Sequence, residues 1–305
     1  MAKARRAFAK ALPSEDVLIE LLDARMPYAS TNPIVTELRK HKPCIKVLSK
    51  ADLADPMVTE AWVRHLEAEG ESRRQLTKSG QVVVITSSDD KSAKTKLRIP
   101  ELCQKLVGRQ ASHLRPVRVM VVGIPNVGKS TLINLLLGRK VAKTGDEPAV
   151  TKTKQRVELP NGIHLSDNPG LLWPKITDDR VGYRLAFGGA ISEAALDYVS
   201  VARFGATVLL ERYPELVVTR YKLRALPSNS DELLLEIGRR RGCLRSGNVV
   251  DLHKAADVLI HEFRLGALGR ISLEWPEDVT LLPPSEPNLE PDELWADDEA
   301  DAAVE

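Results

Sequence analysis

The feature that most constrains this chain is the run VRVMVVGIPNVGKSTLINLLLG, residues 117–138. It fits G-x-x-x-x-G-K-[ST] at Gly123, Gly128, Lys129 and Ser130, with an apolar strand pattern in front and a helical pattern behind. The spacing has a mechanism: glycines let backbone N–H groups turn inward around phosphates, the lysine reaches the β and γ oxygens, and the serine hydroxyl ligates Mg²⁺. Asn126, Val127, Gly128, Lys129, Ser130 and Thr131 are therefore candidate nucleotide contacts. A strand running through a glycine loop into a helix is also the repeating unit of an α/β fold with a mostly parallel sheet.

The rest of the first half alternates in the same way. Strand candidates are 17–24, 44–49, 81–87, 117–123, 155–159 and 162–167, and helix candidates lie near 34–41, 56–69, 99–110 and 130–138. The all-apolar stretches 119–122 and 82–85 predict strands buried on both faces. After Trp173-Pro174 helical periodicity takes over, with Ser230 and Asp231 as N-cap candidates and Gly266 as a terminator. Three units are expected: a three-layer α/β domain over 1–175, a smaller all-helical domain over 176–275, and an acidic, disordered tail over 276–305. The polar stretch 69–81 carries no functional signal.

Charge is distributed unevenly. Residues 271–305 hold twelve of the chain's 42 acids and no Lys or Arg, which leaves 44 basic against 30 acidic residues, or +14, on residues 1–270. A basic body suits a polyanionic partner, and an acidic tail suits a solvating segment. The three cysteines, Cys44, Cys103 and Cys243, form no C-x-x-C pair, and the six histidines are scattered, so a structural zinc site is not expected. That cysteine usage fits a reducing, cytoplasmic setting. No window approaches the ~18 uninterrupted apolar residues of a membrane span, so no membrane partner is expected. The basic start MAKARRAFAKALPSEDV has no apolar core of a secretory signal.

Two further elements give the phosphate loop its chemistry. LSDNPG at 165–170 places Asp167 at a strand end, 44 residues beyond Gly123, with Gly170 after it. In P-loop NTPases such an aspartate holds Mg²⁺ and such a glycine amide senses the γ-phosphate. Thr151, with Thr153 as the alternative, is the candidate switch hydroxyl that closes on Mg²⁺. An ATPase could own all of these. Selection of guanine needs a carboxylate that accepts from the base N1–H and exocyclic amine, which adenine does not offer in that pattern. Asp52, in CIKVLSKADL, can do this, with the Lys50 stem over the ring and Ser49 at the head of the Ser-Lys-Ala-Asp element. Thr86 and Ser87, in ITSSD, are candidates for a short loop beside the base and sugar.

In chain order these elements are base reader, sugar-side loop, phosphate loop, switch threonine and DNPG. That is a circular permutation of the Ras-type order, and it resembles the bacterial YlqF/RbgA family of ribosome-assembly GTPases. The resemblance rests on MAKARR, LLDARMPYASTNP, KPCIKVLSKADLAD, GIPNVGKSTLIN, AKTGDEPAVTK, DNPGLLWPK, GRRRGCL and GRISLE, and it covers nearly all of residues 1–275. It implies a circularly permuted P-loop GTPase domain that binds GTP and GDP with Mg²⁺. It also implies hydrolysis coupled to late assembly of the large (50S) ribosomal subunit, with the helical domain gripping rRNA. A low intrinsic, ribosome-stimulated rate and a monomeric state are expected with it.

The sequence departs from the Ras-type pattern in two places, at Leu171 and at Ser49. Leu171 stands where those enzymes keep the glutamine that orients water. The family is thought to use a histidine in a Trp-Phe-Pro-Gly-His motif just upstream of the segment matching MAKARR. That segment starts at Met1, so the family's histidine would lie ahead of Met1 and no position here inherits its role. Two expectations follow: the natural protein is longer than this chain, the preferred one, or the chain binds GTP as an rRNA placeholder and hydrolyses it slowly. Asn126 is the remaining candidate contributor, as a K⁺ ligand of the kind found in potassium-activated relatives, or as a residue that favours a tight turn. Ser49 replaces the usual asparagine, and its shorter arm is expected to weaken GTP binding by roughly 1 kcal/mol while Asp52 keeps the guanine preference.

Overall fold

The computed structural model describes residues 2–77, 80–88, 92–139, 156–167, 178–191 and 197–280. Its centre is a six-stranded sheet in the order β3-β2-β1-β4-β6-β5, formed by β1 (Val17–Asp23), β2 (Cys44–Ser49), β3 (Val82–Thr86), β4 (Val117–Gly123), β5 (Arg156–Glu158) and β6 (Ile163–Asp167). All neighbours run parallel except β5, which returns antiparallel along β6. Every residue of β1 and β2 is buried, as expected when both faces of a parallel sheet are covered; Glu20 and Lys46, which interrupt the apolar runs, lie 3.6 Å from each other. β4 keeps one exposed position, Arg118. β3 corrects the expectation of full burial: it is an edge strand, and Val82 and Val83 are only half-buried.

Helices α1 (Ala2–Ala11), α2 (Pro27–Ser30), α3 (Pro33–Leu38), α4 (Pro56–Thr77), α5 (Ser92–Val107) and α6 (Lys129–Leu137) connect the strands. No pattern in the sequence announces α1, which is anchored through Phe8 and, just beyond its end, Leu12 among Leu18, Met120 and Val122. α4 extends to Thr77 and absorbs most of the polar stretch expected as an insertion. Its extra turns carry Arg73–Glu69 and Arg74–Glu71 pairs spaced four and three residues apart, which support an exposed helix without apolar residues. α5 begins at Ser92 rather than near 99 and carries Pro100 inside it.

The remainder is helical: α7 (Asp179–Phe187), α8 (Tyr198–Arg212), α9 (Pro214–Tyr221), α10 (Ser230–Arg241), α11 (Leu252–Arg264) and α12 (Pro276–Thr280). Side chains of Asp178, Asp197, Asn229 and Asp251 accept backbone N–H groups at the starts of α7, α8, α10 and α11, each cap contributing about 1 kcal/mol. The cap of α10 is therefore Asn229, not Ser230 or Asp231. The tail expected from 276 begins instead with α12, whose Val279 packs beside Trp62 and Leu66 of α4. One apolar cluster runs from Val119, Val121 and Ile133 through Met26 and Phe187 to Leu259 and Phe263, so the helical part shares a core with the sheet. The expected boundary at 175 falls outside the described residues.

Candidate nucleotide-binding site

The parallel strands deliver the candidate residues to one end of the sheet, outside the strands' carboxyl ends, where open α/β sheets bind ligands. β4 ends in the phosphate loop. β2 ends in Ser49 and the base-reading loop, two strands away across β1. Asp167, the last residue of β6, pairs in register with Val121 of β4, which puts it beside the start of the phosphate loop. Thr151, Thr153, Gly170 and Leu171 lie outside the described residues. So does Met1.

The phosphate loop has the backbone its glycines imply. Gly123 packs against β1 so closely that an added Cβ would lie 2.8 Å from the Leu21 carbonyl oxygen, so no side chain fits. Gly128 has φ +101°, a conformation that side chains strain, and α6 starts directly after it. Lys129 Nζ donates to the carbonyls of Gly123 at 3.1 Å and Ile124 at 2.7 Å, which fixes the ammonium over the loop. Ser130 and Thr131 occupy the first turn of α6, half-buried and exposed respectively. N–H groups there point out of the helix start, where an anion is favoured.

The shorter arm of Ser49 still reaches the backbone of the phosphate loop. Its Oγ lies 2.7 Å from the Val127 carbonyl and 3.0 Å from the Leu22 carbonyl, so its single proton ties the base-reading loop to the phosphate loop across 78 residues. The next residue, Lys50, has φ +56°, unusual for a lysine. Its Nζ sits 3.0 Å from Asp23 Oδ2. The Ala51 N–H donates to the Ser87 carbonyl at 3.1 Å and the Ser87 N–H to Leu48 at 2.8 Å, so Ser87 and the exposed Thr86 border the same loop. Asp52 is half-buried, and among the described residues its carboxylate makes no hydrogen bond. Asn126 sits at φ +57°, the left-handed turn that asparagine tolerates, and its Nδ2 donates to the Gly189 carbonyl just past α7 at 2.8 Å.

Sequence reasoning missed what stands behind this loop. Asp23, the last residue of β1, is 1% exposed and takes Arg25 Nε and Nη2 at 2.9 and 2.8 Å as well as Lys50 Nζ. Burial opposes its ionisation, but the Arg25 and Lys50 cations outweigh that and hold its carboxyl well below the usual range. Arg25 also stands 4.6 Å over the Phe263 ring of α11. Glu274 is a second buried carboxylate. It accepts the N–H groups of Tyr28 and Ala29 at the start of α2 and lies 3.5 Å from Arg184 of α7. Burial raises it to about 7 despite Arg184 and the two amides. The run LLDARMPY contained the first signal, an Asp-x-Arg at a strand end; for Glu274 no local pattern existed.

Comparison with known proteins extends the picture beyond the sheet. The family model described as "50S ribosome-binding GTPase" matches residues 118–211. A ribosome biogenesis GTPase A from Bacillus cereus is 40% identical over 281 residues, which is 91% of this chain and 92% of that protein. Among solved structures, GDP-bound TM YlqF aligns with a TM-score of 0.60 and 26% identity over 90% of this chain and 100% of its own. The GNP-bound YlqF from T. maritima gives 0.60 and 27% over 90% and 99%. The similarity thus spans the helical part as well as the strands and the phosphate loop.

Proposed function

This chain belongs to the ribosome biogenesis GTPase A family and is a GTPase; on that premise we propose that it hydrolyses GTP while engaged with a precursor of the large ribosomal subunit, in late 50S assembly. The observation that carries the proposal is the tie between Ser49 Oγ and the Val127 carbonyl, which joins a guanine-reading element to a phosphate loop that follows it in the chain. Asp52 accepts from the guanine N1–H and amine, Lys50 covers the ring, and Thr86 and Ser87 border the base and sugar. Backbone N–H groups of residues 126–131 and Lys129 Nζ hold the phosphates, with Thr151 and Gly170 meeting the γ-phosphate. Residues 1–175 form the nucleotide domain, and the helical region 176–275 contacts rRNA through its arginines. The chain acts in the cytoplasm as a monomer. Among the described residues no helix is long and apolar enough to cross a membrane.

The family's Mg²⁺ fits the residues present. Ser130 lies in the first turn of α6 and Asp167 ends the neighbouring strand, and both offer the hard oxygen donors this ion requires, with Thr151 as the third candidate. When bound it neutralises charge that develops on the β and γ oxygens. For K⁺ the atom Asn126 can offer is its side-chain carbonyl oxygen, while its amide nitrogen donates to the Gly189 carbonyl. One experiment tests the whole reading. GTP and ATP turnover are measured in KCl and in NaCl, with and without large-subunit precursor particles, alongside co-sedimentation with those particles under a GTP analogue. GTP-selective turnover that the particles stimulate, with analogue-dependent co-sedimentation, is expected, and slower turnover in NaCl supports Asn126 as a K⁺ ligand. Equal use of ATP refutes base selection, and absence of turnover on the particles refutes hydrolysis in favour of a GTP-bound placeholder.

A further inference from the structure

The base-reading loop is held by a segment from the opposite end of the described chain. After α11 the chain turns back at Gly269 and lays Arg270–Glu274 against residues 51–55. Arg270 Nε donates to the Ala54 carbonyl and its Nη2 to the Ala51 carbonyl, each at 3.0 Å. The Ile271 N–H donates to the Leu53 carbonyl at 2.9 Å. Carbonyls on both sides of Asp52 are thus taken by two consecutive residues. Two positions on, the Leu273 N–H donates to the Arg25 carbonyl at 2.7 Å.

Arg25 leads back to the same loop by a second route. Its guanidinium grips Asp23, Asp23 grips Lys50, and the face of the guanidinium rests on Phe263 of α11. Asp52 therefore sits on a loop tethered twice to α11 and the segment after it, once through its carbonyls and once through the Lys50 side chain. A carboxylate that must meet two base donors at once tolerates little displacement. The left-handed Lys50 is a conformation that surrounding contacts have to enforce.

We propose that Arg270 is a positioning residue for the base-reading loop, and that filling the guanine subsite is thereby coupled to docking of residues 269–274 on that loop. The proposal rests on the assignment of Asp52 as the guanine acceptor. Guanine is common to GDP and GTP, and the γ-phosphate lies at the other end of the nucleotide. This coupling therefore reports that a guanine nucleotide is bound, whichever one it is, and is separate from any response of the switch segment to hydrolysis. Coupling between two sites is reciprocal, so the base stabilises the clamp as much as the clamp stabilises base binding.

The test combines variants with hydrogen exchange on the unmodified chain. Arg270→Gln is expected to weaken GDP and GTP about tenfold each, to raise KM by that factor, and to keep kcat within twofold; Arg270→Lys, which keeps the cation, recovers part of the loss. In the unmodified chain GDP and a GTP analogue are expected to slow exchange of the Ile271 and Leu273 amides equally, and ATP to leave them unchanged. Asp52→Asn is run in parallel with guanosine and xanthosine nucleotides. A preference that shifts toward xanthosine nucleotides upholds the base-reading assignment, and no shift removes both that assignment and the coupling. If the preference shifts while Arg270→Gln binds both guanine nucleotides normally, or while residues 271 and 273 exchange equally with and without GDP, only the coupling is overturned. A loss confined to GTP would also overturn it.

Discussion

Replacing Asp23 with asparagine removes the one carboxylate that two cations share behind the base-reading loop. Asp23 and Arg25 are each 1% exposed, and the pair is bidentate at 2.9 and 2.8 Å. Removing one partner of a buried pair leaves the other charge desolvated and unpaired, at about 3 to 5 kcal/mol. An asparagine's single carbonyl oxygen could still accept one Arg25 N–H, but the guanidinium would lose its counter-charge and second oxygen, besides which it has its 3.4 Å contact to the Phe263 carbonyl and the Phe263 ring. Asp23→Asn should therefore lower the unfolding free energy by about 3 to 5 kcal/mol. Lys50→Met should cost far less, about 1 kcal/mol, because the Lys50 side chain is 27% exposed and Asp23 retains Arg25. Arg25→Met should fall between the two, since Lys50 remains to neutralise Asp23.

The assay is urea unfolding of nucleotide-free protein followed by tryptophan fluorescence, because bound nucleotide would add its own stabilisation. The pH dependence has a definite sign. The folded carboxyl is depressed, so its stabilisation is present above the ordinary value of 3.8 and lost as pH falls through the folded value. The wild type should accordingly lose more stability on acidification than Asp23→Asn. A cost below about 1 kcal/mol for Asp23→Asn, or equal costs for Asp23→Asn and Lys50→Met, would refute the account of a shared buried anion.

Two further outcomes are expected. Glu274 titrates at about 7 when folded against an ordinary value of 4.5, so its contribution is fully present below pH 4.5 and lost as pH rises through 7, on the order of 3 kcal/mol. Glu274→Gln, which still accepts the Tyr28 and Ala29 N–H groups, should flatten stability between those pH values, and an unchanged slope in urea midpoints would contradict the titration. Ser49→Ala should weaken GDP and GTP alike by roughly 1 kcal/mol, about fivefold, because it cuts the tie to Val127; nucleotide titration that finds wild-type affinity would show the tie to be idle.

What could be read from the chain alone was what is local. The strands at 44–49 and 117–123 were legible to the residue because buried parallel strands are mostly apolar runs bounded by polar residues, here interrupted only by Lys46 and Arg118. Glycine, lysine and serine spacing revealed the phosphate loop, since backbone geometry there is set within a few residues. α1 was not legible because the large apolar anchors among its described side chains, Phe8 and the adjoining Leu12, are too few for a periodic stripe. Pro100 pushed the expected start of α5 too late, although the helix accommodates it. Arg270 and Glu274 lie in GRISLE, which carried the family resemblance but no role for either residue. The carbonyls that Arg270 takes and the amides that Glu274 accepts lie more than 200 residues away, and nothing in the neighbourhood of either residue encodes that distance.

The same separation sets an order in time. A ribosome making this chain releases Asp23, Arg25 and the base-reading loop early, and the phosphate loop soon after. The carbonyls of Ala51, Leu53 and Ala54 stay without their clamp until Arg270 and Ile271 have been added. Pairings this distant also close late in folding, since the intervening chain must be ordered before they can form. The loop of residues 50–55 is therefore the last part to be finished, and a chain stopped before residue 270 would carry the phosphate-loop and Ser-Lys-Ala-Asp motifs without the brace on the carbonyls beside Asp52.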